Sequence, residues 1–244
     1  MSASTPTPQE ILVARDRGEH AALAAELLAR AIACAVEARG VARVALSGGT
    51  TPAEAYQRLA ALSLPFEHVE WYWVDERGVA PDHPRSNYAA AARDLSLADG
   101  AHGRAHRLEG ERDLDEAAAA YEALLRRSFG VASAVTFDAM TLGVGDDGHT
   151  ASLFPGIGAV SIDDRLVAHI REQPAKKLEA RLTLTAPVIL EARLLVVLAR
   201  GEGKRPVVAA ARAPGSEDEV PSRILQRARG RVIWVLDAAA AGPA

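Results

Sequence analysis

The stretch VARVALSGGTTP at positions 41–52 decides the fold of this chain, because an apolar run there passes into a glycine turn and then into proline. A run of this type and length predicts a buried strand over 41–46. Pro52 suits the first turn of a helix, which we expect to continue to about residue 62. The stretch therefore predicts a strand, a glycine turn and a helix in succession.

The same succession recurs through the rest of the chain. Further strands are predicted from apolar runs at positions 11–14, 69–74, 137–142, 166–170, 194–199 and 231–236. Helices are predicted at 19–39, from Ser86, and at 113–129, 187–192 and 204–212. Such alternation implies a parallel sheet, and no linker rich in Pro, Gly or Ser divides the chain. We therefore expect a single doubly wound α/β domain over residues 9–240, with a mainly parallel sheet, helices on both faces and a disordered tail at 1–8.

Composition and charge exclude several classes of protein. The 244 residues are 49% hydrophobic and 25% charged, which is enough to bury a substantial core. The longest apolar runs fall far short of the roughly 18 to 20 residues of a membrane span, and the start of the chain lacks the features of a secretory signal. The formal charge of -4 offers no positive field to nucleic acid or to an anionic leaflet. We expect a cytoplasmic protein without membrane or nucleic-acid partners.

The chain has a single cysteine, Cys34, which excludes an intramolecular disulfide. It lies among alanines in a predicted helix, where a small buried apolar residue fits. A reducing compartment is therefore the expected one, and these features leave the oligomeric state open.

Polar segments directly after predicted strands hold the candidate functional residues, because ligands of an open parallel sheet bind beyond the carboxyl ends of its strands. In the first segment, small residues let backbone amides approach a ligand, and the following helix presents unpaired N–H groups, which suits a phosphate. These residues are Ser47, Gly48, Gly49 and Thr50. The segment lacks the lysine of the nucleotide P-loop and the spacing of the dinucleotide fingerprint. A simple strand-to-helix turn explains it equally well.

The second segment is a run of charges, Asp75, Glu76 and Arg77, followed further on by Asn87. A solvated loop with a capping aspartate accounts for the run when it is taken in isolation. Beyond the strands of the second half, Arg181 and Lys204 are basic residues that could reach a phosphate across the sheet. Single charges of this kind are usually solvated surface.

The third segment, GVGDDGHT at 143–150, is the most informative. Its glycines let the loop fold closely around a ligand, and the neutral imidazole of His149 can accept a proton near pH 7. Asp147 is placed to orient that ring. The alternative is an Asp-Asp-Gly turn followed by an incidental histidine.

A metal site is not expected. His102 and His106 have the i, i+4 spacing of a metal pair, but Gly100 and Gly103 argue against a helix there and no third ligand is apparent.

Taken together, these segments resemble the 6-phosphogluconolactonase family, whose members hydrolyse 6-phosphoglucono-1,5-lactone in the pentose phosphate pathway. The resemblance extends from about residue 43 to residue 226, and the matching stretches are LSGGTTP (46–52), WVDERGVAPDHPRSNY (73–88), LGVGDDGHTASLFPG (142–156), RLTLT (181–185) and GEGK (201–204). This chain departs from the pattern at Ala80 and Val144, and the stretch before Arg181 is poorer in proline.

The resemblance implies a carboxylic ester hydrolase that needs no cofactor, in which His149 acts as general base on water. Asp75 and Asp147 are the other catalytic candidates. The residues implied in holding the phosphate and the sugar are Ser47, Gly48, Gly49, Thr50, Arg77, Asn87, Arg181 and Lys204. The residues alone support the same chemistry, because a lactone carbonyl is already electrophilic and needs only a base for water and a donor for the oxyanion. Ser152 lacks the Gly-x-Ser-x-Gly elbow of a serine nucleophile, which leaves that route a minor alternative.

Two other functions remain open. Glucosamine-6-phosphate deaminases resemble the same Gly-Gly-Thr and Asp-Gly-His segments, but their pattern carries a glutamate five residues after the histidine. Here that position is Phe154, and a hydrocarbon ring cannot exchange a proton. A sugar-phosphate-binding regulator without catalysis is the other alternative, although no DNA-binding segment is recognisable and a sensor would not need His149.

Overall fold

The computed structural model describes residues 9–130, 135–173 and 178–242, so the tail predicted at 1–8 lies outside the described residues. Within these ranges the strands are β1 (Gln9–Ala14), β2 (Ala42–Leu46), β3 (Val69–Trp73), β4 (Asp75–Arg77), β5 (Arg104–Ala105), β6 (Ala139–Gly143), β7 (Val167–Ile170), β8 (Arg181–Leu184), β9 (Leu194–Ala199) and β10 (Arg231–Asp237). The α-helices are α1 (Arg17–Arg39), α2 (Ala53–Ala60), α3 (Asn87–Asp94), α4 (Leu114–Phe129), α5 (Ala186–Leu190), α6 (Arg205–Arg212) and α7 (Ala238–Ala241).

Seven strands form one sheet in the order β1-β10-β9-β6-β2-β3-β5. Every pairing in it is parallel, which confirms the predicted α/β fold with a mainly parallel sheet. From β2 the chain proceeds to β3 on one side, and the later strand β6 lies on the other side of β2. A crevice therefore opens between β2 and β6 at their carboxyl ends, which is where ligands bind in sheets of this type.

The core lies on both faces of this sheet. All six side chains of β9 are buried, and since successive side chains of a strand point to opposite faces, both faces are covered. The long helix α1 packs against the strands in the middle of the sheet. It begins at Asp16, whose side chain accepts the N–H of Glu19, and it ends at Gly40, which adopts a left-handed conformation.

A second, three-stranded antiparallel sheet in the order β4-β8-β7 was not predicted from the sequence. The sequence indicated a polar loop from Asp75, but residues 75–77 form a strand that pairs with β8, so that expectation was wrong. Pairing with a strand about 100 residues away outweighs the polar composition of the segment. The consequence for the site is that Arg77 lies directly opposite Arg181, and Asp75 opposite Thr183.

The expectation that Cys34 is buried was also wrong, because its side chain is exposed. The buried stripe of α1 runs through Leu28, Ile32 and Ala35, and Cys34 lies on a different side of the helix. In the part of the chain that the structure describes, no helix combines the length and the apolar character that crossing a bilayer requires.

Candidate active site

A cleft of about 350 Å³ lies at the carboxyl ends of β2 and β6, beside the small antiparallel sheet. All but two of the predicted site residues line it, although they come from distant parts of the chain: Ser47, Gly48, Gly49, Asp75, Arg77, Asn87, His149, Arg181 and Lys204. The exceptions are Asp147 and Thr50. The volume is in the range of pockets that bind small molecules.

His149 and Asp147 form a hydrogen-bonded pair on the loop after β6. The His149 Nδ1 atom lies 2.6 Å from Asp147 Oδ1, and the same oxygen accepts the backbone N–H of His149 at 3.1 Å. Burial acts to raise the pKa of Asp147, but the charge of the protonated His149 ring, which is present at the acidic pH where Asp147 titrates, and the hydrogen bonds of His149 outweigh it, so that the pKa lies below its usual range. An ionised carboxylate only accepts hydrogen bonds, so Nδ1 must carry the ring proton. Nε2 is then left with the basic lone pair.

The loop fits around this pair only because residue 145 is glycine. A Cβ atom at Gly145 would lie 2.1 Å from His149 Nδ1 and 2.7 Å from Asp147 Oδ1, closer than atoms can approach. The backbone N–H of Gly145 donates to the carbonyl of His149 at 2.8 Å, and Gly148 has a φ of +89°. The glycines that the sequence singled out therefore close the loop onto the histidine.

Phe154 contacts both the histidine and an arginine of the cleft. The centroids of the Phe154 and His149 rings are 4.5 Å apart, and the Arg181 guanidinium carbon lies 5.3 Å from the Phe154 ring centroid. The sequence indicated Phe154 only as a departure from the deaminase pattern. Its contact with Arg181 joins residues 27 positions apart, and no local pattern could have indicated it.

Three cationic side chains line the cleft, and each is held by protein oxygens. Lys204 Nζ donates to the carbonyl of Val144 at 2.8 Å and to Asp146 Oδ1 at 2.6 Å. Arg77 Nη1 donates to the carbonyl of Arg85. The third, Arg181, lies directly opposite Arg77 on the adjacent strand. Against the two carboxylates that also line it, Asp75 and Asp146, these three cations leave the cleft with a net positive charge in a protein that is acidic overall.

Arg181 is more buried than Lys204, since 15% of its side chain is exposed against 27%. Its Nη2 atom lies 3.3 Å from Glu179 Oε1, and its Nη1 atom lies 3.8 Å from Asp75 Oδ2. Burial lowers the pKa of Arg181, Asp75 opposes that effect, and the neighbouring Arg77 reinforces it. A guanidinium nevertheless stays protonated in proteins, so Arg181 remains a cation.

Asp75 and Asn87 form hydrogen bonds that connect the segments on either side of the cleft. The Asp75 carboxylate accepts the hydroxyl of Ser152 at 2.6 Å and the amide Nδ2 of Asn87 at 3.0 Å. The Ser152 hydroxyl is buried and already donates to Asp75, which is not the arrangement of a serine nucleophile. A Cβ atom at Gly48 would lie 1.8 Å from Asn87 Oδ1, so the close approach of these two segments requires glycine there.

Glu76, which the sequence singled out only as part of a charged run, has a structural role in the site that was not predicted. It is 2% exposed and accepts hydrogen bonds from the Ser86 hydroxyl and from the backbone N–H groups of Asn87 and Tyr88, at 2.7 to 2.8 Å. Burial raises the pKa of Glu76, and these hydrogen bonds oppose that rise. Because Glu76 satisfies N–H groups of the first turn of α3, it fixes the end of the helix that carries Asn87.

Hydrogen bonds to neighbouring residues hold the glycine turn after β2 in place. The Ser47 N–H donates to Thr141 Oγ1 at 2.8 Å, and the Tyr56 hydroxyl donates to the Ser47 carbonyl at 2.9 Å. Gly49 has a φ of +94°, and Thr50, which follows it, is exposed and lies outside the lining of the cleft. Of the residues predicted to hold a phosphate in this turn, residues 47–49 line the cleft.

His102 and His106, which have the sequence spacing of a metal pair, both pack against aromatic rings. The ring of His106 stacks on Tyr72 with centroids 4.7 Å apart, and the His102 ring contacts Phe66 at 4.9 Å. Over residues 9–130, 135–173 and 178–242, no group of three or more His, Cys, Asp and Glu side chains is arranged to hold a metal ion.

Residues 15–234 match the model of the glucosamine-6-phosphate isomerase/6-phosphogluconolactonase family. The chain belongs to this family. A human relative named 6-phosphogluconolactonase is 34% identical over 245 residues, which cover 98% of this chain and 95% of that protein. A 6-phosphogluconolactonase of Synechocystis is 37% identical over 223 residues, covering 86% of this chain and 91% of the relative.

The family membership is reflected in solved structures. The 6-phosphogluconolactonase of Trypanosoma brucei superposes with a TM-score of 0.85 at 27% identity, covering 96% of this chain and 98% of that one. A monomeric glucosamine-6-phosphate deaminase superposes with a TM-score of 0.78 at 22% identity, which shows a shared fold only. The resemblance that the sequence motifs indicated is thus confirmed at the level of the family.

Proposed function

We propose that this chain hydrolyses 6-phospho-D-glucono-1,5-lactone to 6-phospho-D-gluconate in the pentose phosphate pathway, with His149 activating the attacking water. The observation that carries the proposal is that His149, hydrogen-bonded to Asp147 behind it, lines the same cleft as three cationic side chains. The names of the curated relatives support the choice of substrate.

In the proposed reaction His149 Nε2 accepts a proton from water while the water oxygen attacks C1 of the lactone. The carbonyl oxygen becomes an oxyanion, and a loop amide or a cation of the cleft stabilises it. When the intermediate collapses, the bond between C1 and the ring oxygen breaks, and His149 returns its proton to that oxygen. Asp147 stabilises the imidazolium that exists between these steps, and no bond between protein and substrate forms.

We assign the phosphate to the cationic part of the cleft. A phosphate dianion on a protein of net charge -4 depends on local donors, and here these are Arg77, Arg181 and Lys204 together with the glycine turn at 47–49. We assign Asp75 and Asn87 to positioning, because their polar groups bond to each other and to Ser152. That leaves His149 as the base.

Phe154 argues against the deaminase reaction. It occupies the position of the glutamate in the deaminase pattern, and its ring packs on the imidazole at 4.5 Å, so no carboxyl group exchanges protons there. The non-catalytic regulator is disfavoured by the His149–Asp147 pair, since binding a sugar phosphate requires cations but no oriented base.

The test is a turnover assay with 6-phosphogluconolactone, corrected at each pH for spontaneous hydrolysis. Gluconolactone without the phosphate is the matched substrate, and glucosamine 6-phosphate is the probe for deamination. We expect efficient turnover of the phosphorylated lactone, poor turnover of the matched substrate and no release of ammonia. Equal efficiency on both lactones would contradict the phosphate assignment, and binding without any turnover would contradict the enzymatic proposal.

A further inference from the structure

The ring of Phe154 is the one aromatic side chain that contacts both the proposed base and a proposed phosphate-binding cation among the described residues. It contacts the imidazole of His149 at a centroid distance of 4.5 Å and an interplanar angle of 40°. The guanidinium carbon of Arg181 lies 5.3 Å from the centroid of the same ring. Neither contact is a hydrogen bond, so both leave the nitrogen atoms of His149 and Arg181 available to the substrate.

We propose that Phe154 is a positioning residue, which fixes the orientation of the His149 imidazole and retains the Arg181 guanidinium in the cleft without neutralising its charge. This inference rests on the proposed function. It assigns a role to a side chain that has no group able to transfer a proton.

The imidazole needs such support because its other restraint is weak. Its hydrogen bond partner Asp147 has 52% of its side chain exposed, and His149 itself has 31%. A single hydrogen bond to a solvated carboxylate restrains the ring at one atom only. The tilted ring contact with Phe154 adds a second restraint, which keeps Nε2 directed at one place.

Phe154 directly follows a hydrogen-bonded turn at residues 150–153. The Leu153 N–H donates to the carbonyl of Thr150 at 3.0 Å, and the Leu153 side chain is fully buried. Ala151 has a φ of +49°, a conformation that non-glycine residues adopt only where the surrounding structure imposes it. The turn therefore places Phe154 beside His149 by means of buried packing rather than by exposed polar contacts.

The contact with Arg181 has an electrostatic consequence. An aromatic face attracts a guanidinium while leaving its charge and its donors available. A carboxylate at the same place would pair with Arg181 and withdraw it from the phosphate, and it would also favour the charged form of the nearby imidazole. The other titratable groups around His149 are Asp147 on its own loop and the charged lining of the cleft: Asp75, Arg77, Asp146, Arg181 and Lys204.

The experiment compares Phe154→Gln with Phe154→Glu, two side chains of similar size that differ in charge, with Phe154→Tyr as the variant that keeps the ring. We expect Phe154→Tyr to stay within about threefold of wild type. Phe154→Gln should lower kcat by roughly three- to tenfold, the usual worth of an aromatic contact, and raise KM by roughly two- to fivefold because the ring no longer holds Arg181. Phe154→Glu should in addition raise KM by roughly tenfold and move the acid limb of the rate profile about one pH unit higher.

Two readouts do not depend on turnover, so the inference is testable even if the proposed reaction is wrong. The affinity for 6-phosphogluconate, measured by calorimetry, should fall slightly in Phe154→Gln and several-fold further in Phe154→Glu. The NMR titration of the His149 ring should move to higher pH in Phe154→Glu than in Phe154→Gln. Far-UV circular dichroism confirms that each variant is folded.

Unchanged kcat in folded Phe154→Gln would show that the ring does not position the base. Identical affinities and titrations in the Gln and Glu variants would show that Phe154 does not govern the charge of Arg181 and His149. Either result overturns the inference, whereas an inactive wild-type protein refutes the proposed function alone.

Discussion

Replacing Asp147 with asparagine removes the carboxylate charge beside the proposed base and keeps the shape of the side chain. In the native loop Asp147 Oδ1 lies 2.6 Å from His149 Nδ1. Opposite unit charges about 4 Å apart attract by about 4 kcal/mol at an effective dielectric constant of about 20 and by about 1 kcal/mol in water. Since 52% of the Asp147 side chain is exposed, the attraction lies toward the lower value, about 1 to 2 kcal/mol. Loss of this term alone slows the reaction by roughly five- to thirtyfold.

The asparagine has a second effect that aspartate lacks. If its NH₂ group faces Nδ1, the ring proton must move to Nε2, and the atom that accepts the proton from water is lost. We therefore expect Asp147→Asn to lower kcat by roughly tenfold to a thousandfold and to be slower than Asp147→Ala, which leaves the choice of tautomer free.

The assay is lactone turnover between pH 5 and pH 8, corrected for spontaneous hydrolysis. The lowered pKa of Asp147 keeps this carboxylate ionised over the whole range, and the stability it contributes is lost only as the pH falls through that lowered value. Changes in the wild-type rate between pH 5 and pH 8 therefore do not report Asp147 itself. In the variant the acid limb should move to lower pH, because the imidazolium loses its counter-charge. A variant within twofold of wild type, with the limb unmoved, would refute this reasoning.

Three further predictions follow from the cleft. Gly145→Ala should lower kcat by roughly a hundredfold in a folded protein, because the new Cβ would displace His149. The control is Gly203→Ala on an exposed turn, where a Cβ would meet no other atom. This control should match wild type in both kcat and thermal melting. Glu179→Gln should lower KM by roughly two- to fivefold at low salt, because it frees Arg181 for the phosphate. The surface variant Glu172→Gln is the control and should leave KM unchanged. An unchanged KM in both variants would contradict the phosphate role of Arg181. Treatment with a chelator should leave the rate unchanged, and a loss of activity that zinc restores would contradict a metal-free mechanism.

The central sheet was predictable because its strands are buried on both faces. Residues 194–199 form an unbroken apolar run between Arg193 and Arg200, and six residues is the length of a covered strand rather than of a helix. The site residues follow from the same logic, since strands that run in parallel bring their carboxyl ends to one edge. That is why the turn at 47–49 and the loop of His149 meet although about 100 residues separate them.

The rest depends on contacts that the sequence does not encode locally. Asp75, Glu76 and Arg77 have the composition of a loop, and only pairing with β8 makes them a strand. The burial of Glu76 follows from the packing of α3 against β4. The contact between Phe154 and Arg181 likewise joins two segments that lie far apart in the sequence. In α1 alanine is too frequent for a clear apolar stripe, which is why Cys34 was placed on the wrong side.

The most direct measurement of the central claim is the turnover of His149→Asn beside its affinity for 6-phosphogluconate. Asparagine keeps a polar side chain of similar reach but cannot accept a proton from water. We predict a fall in kcat of roughly a hundredfold to ten-thousandfold, the usual worth of a positioned general base, with the affinity for 6-phosphogluconate unchanged. Turnover close to that of wild type would remove His149 from the mechanism. Loss of affinity in parallel with turnover would instead make His149 a ligand contact and contradict its role as the base.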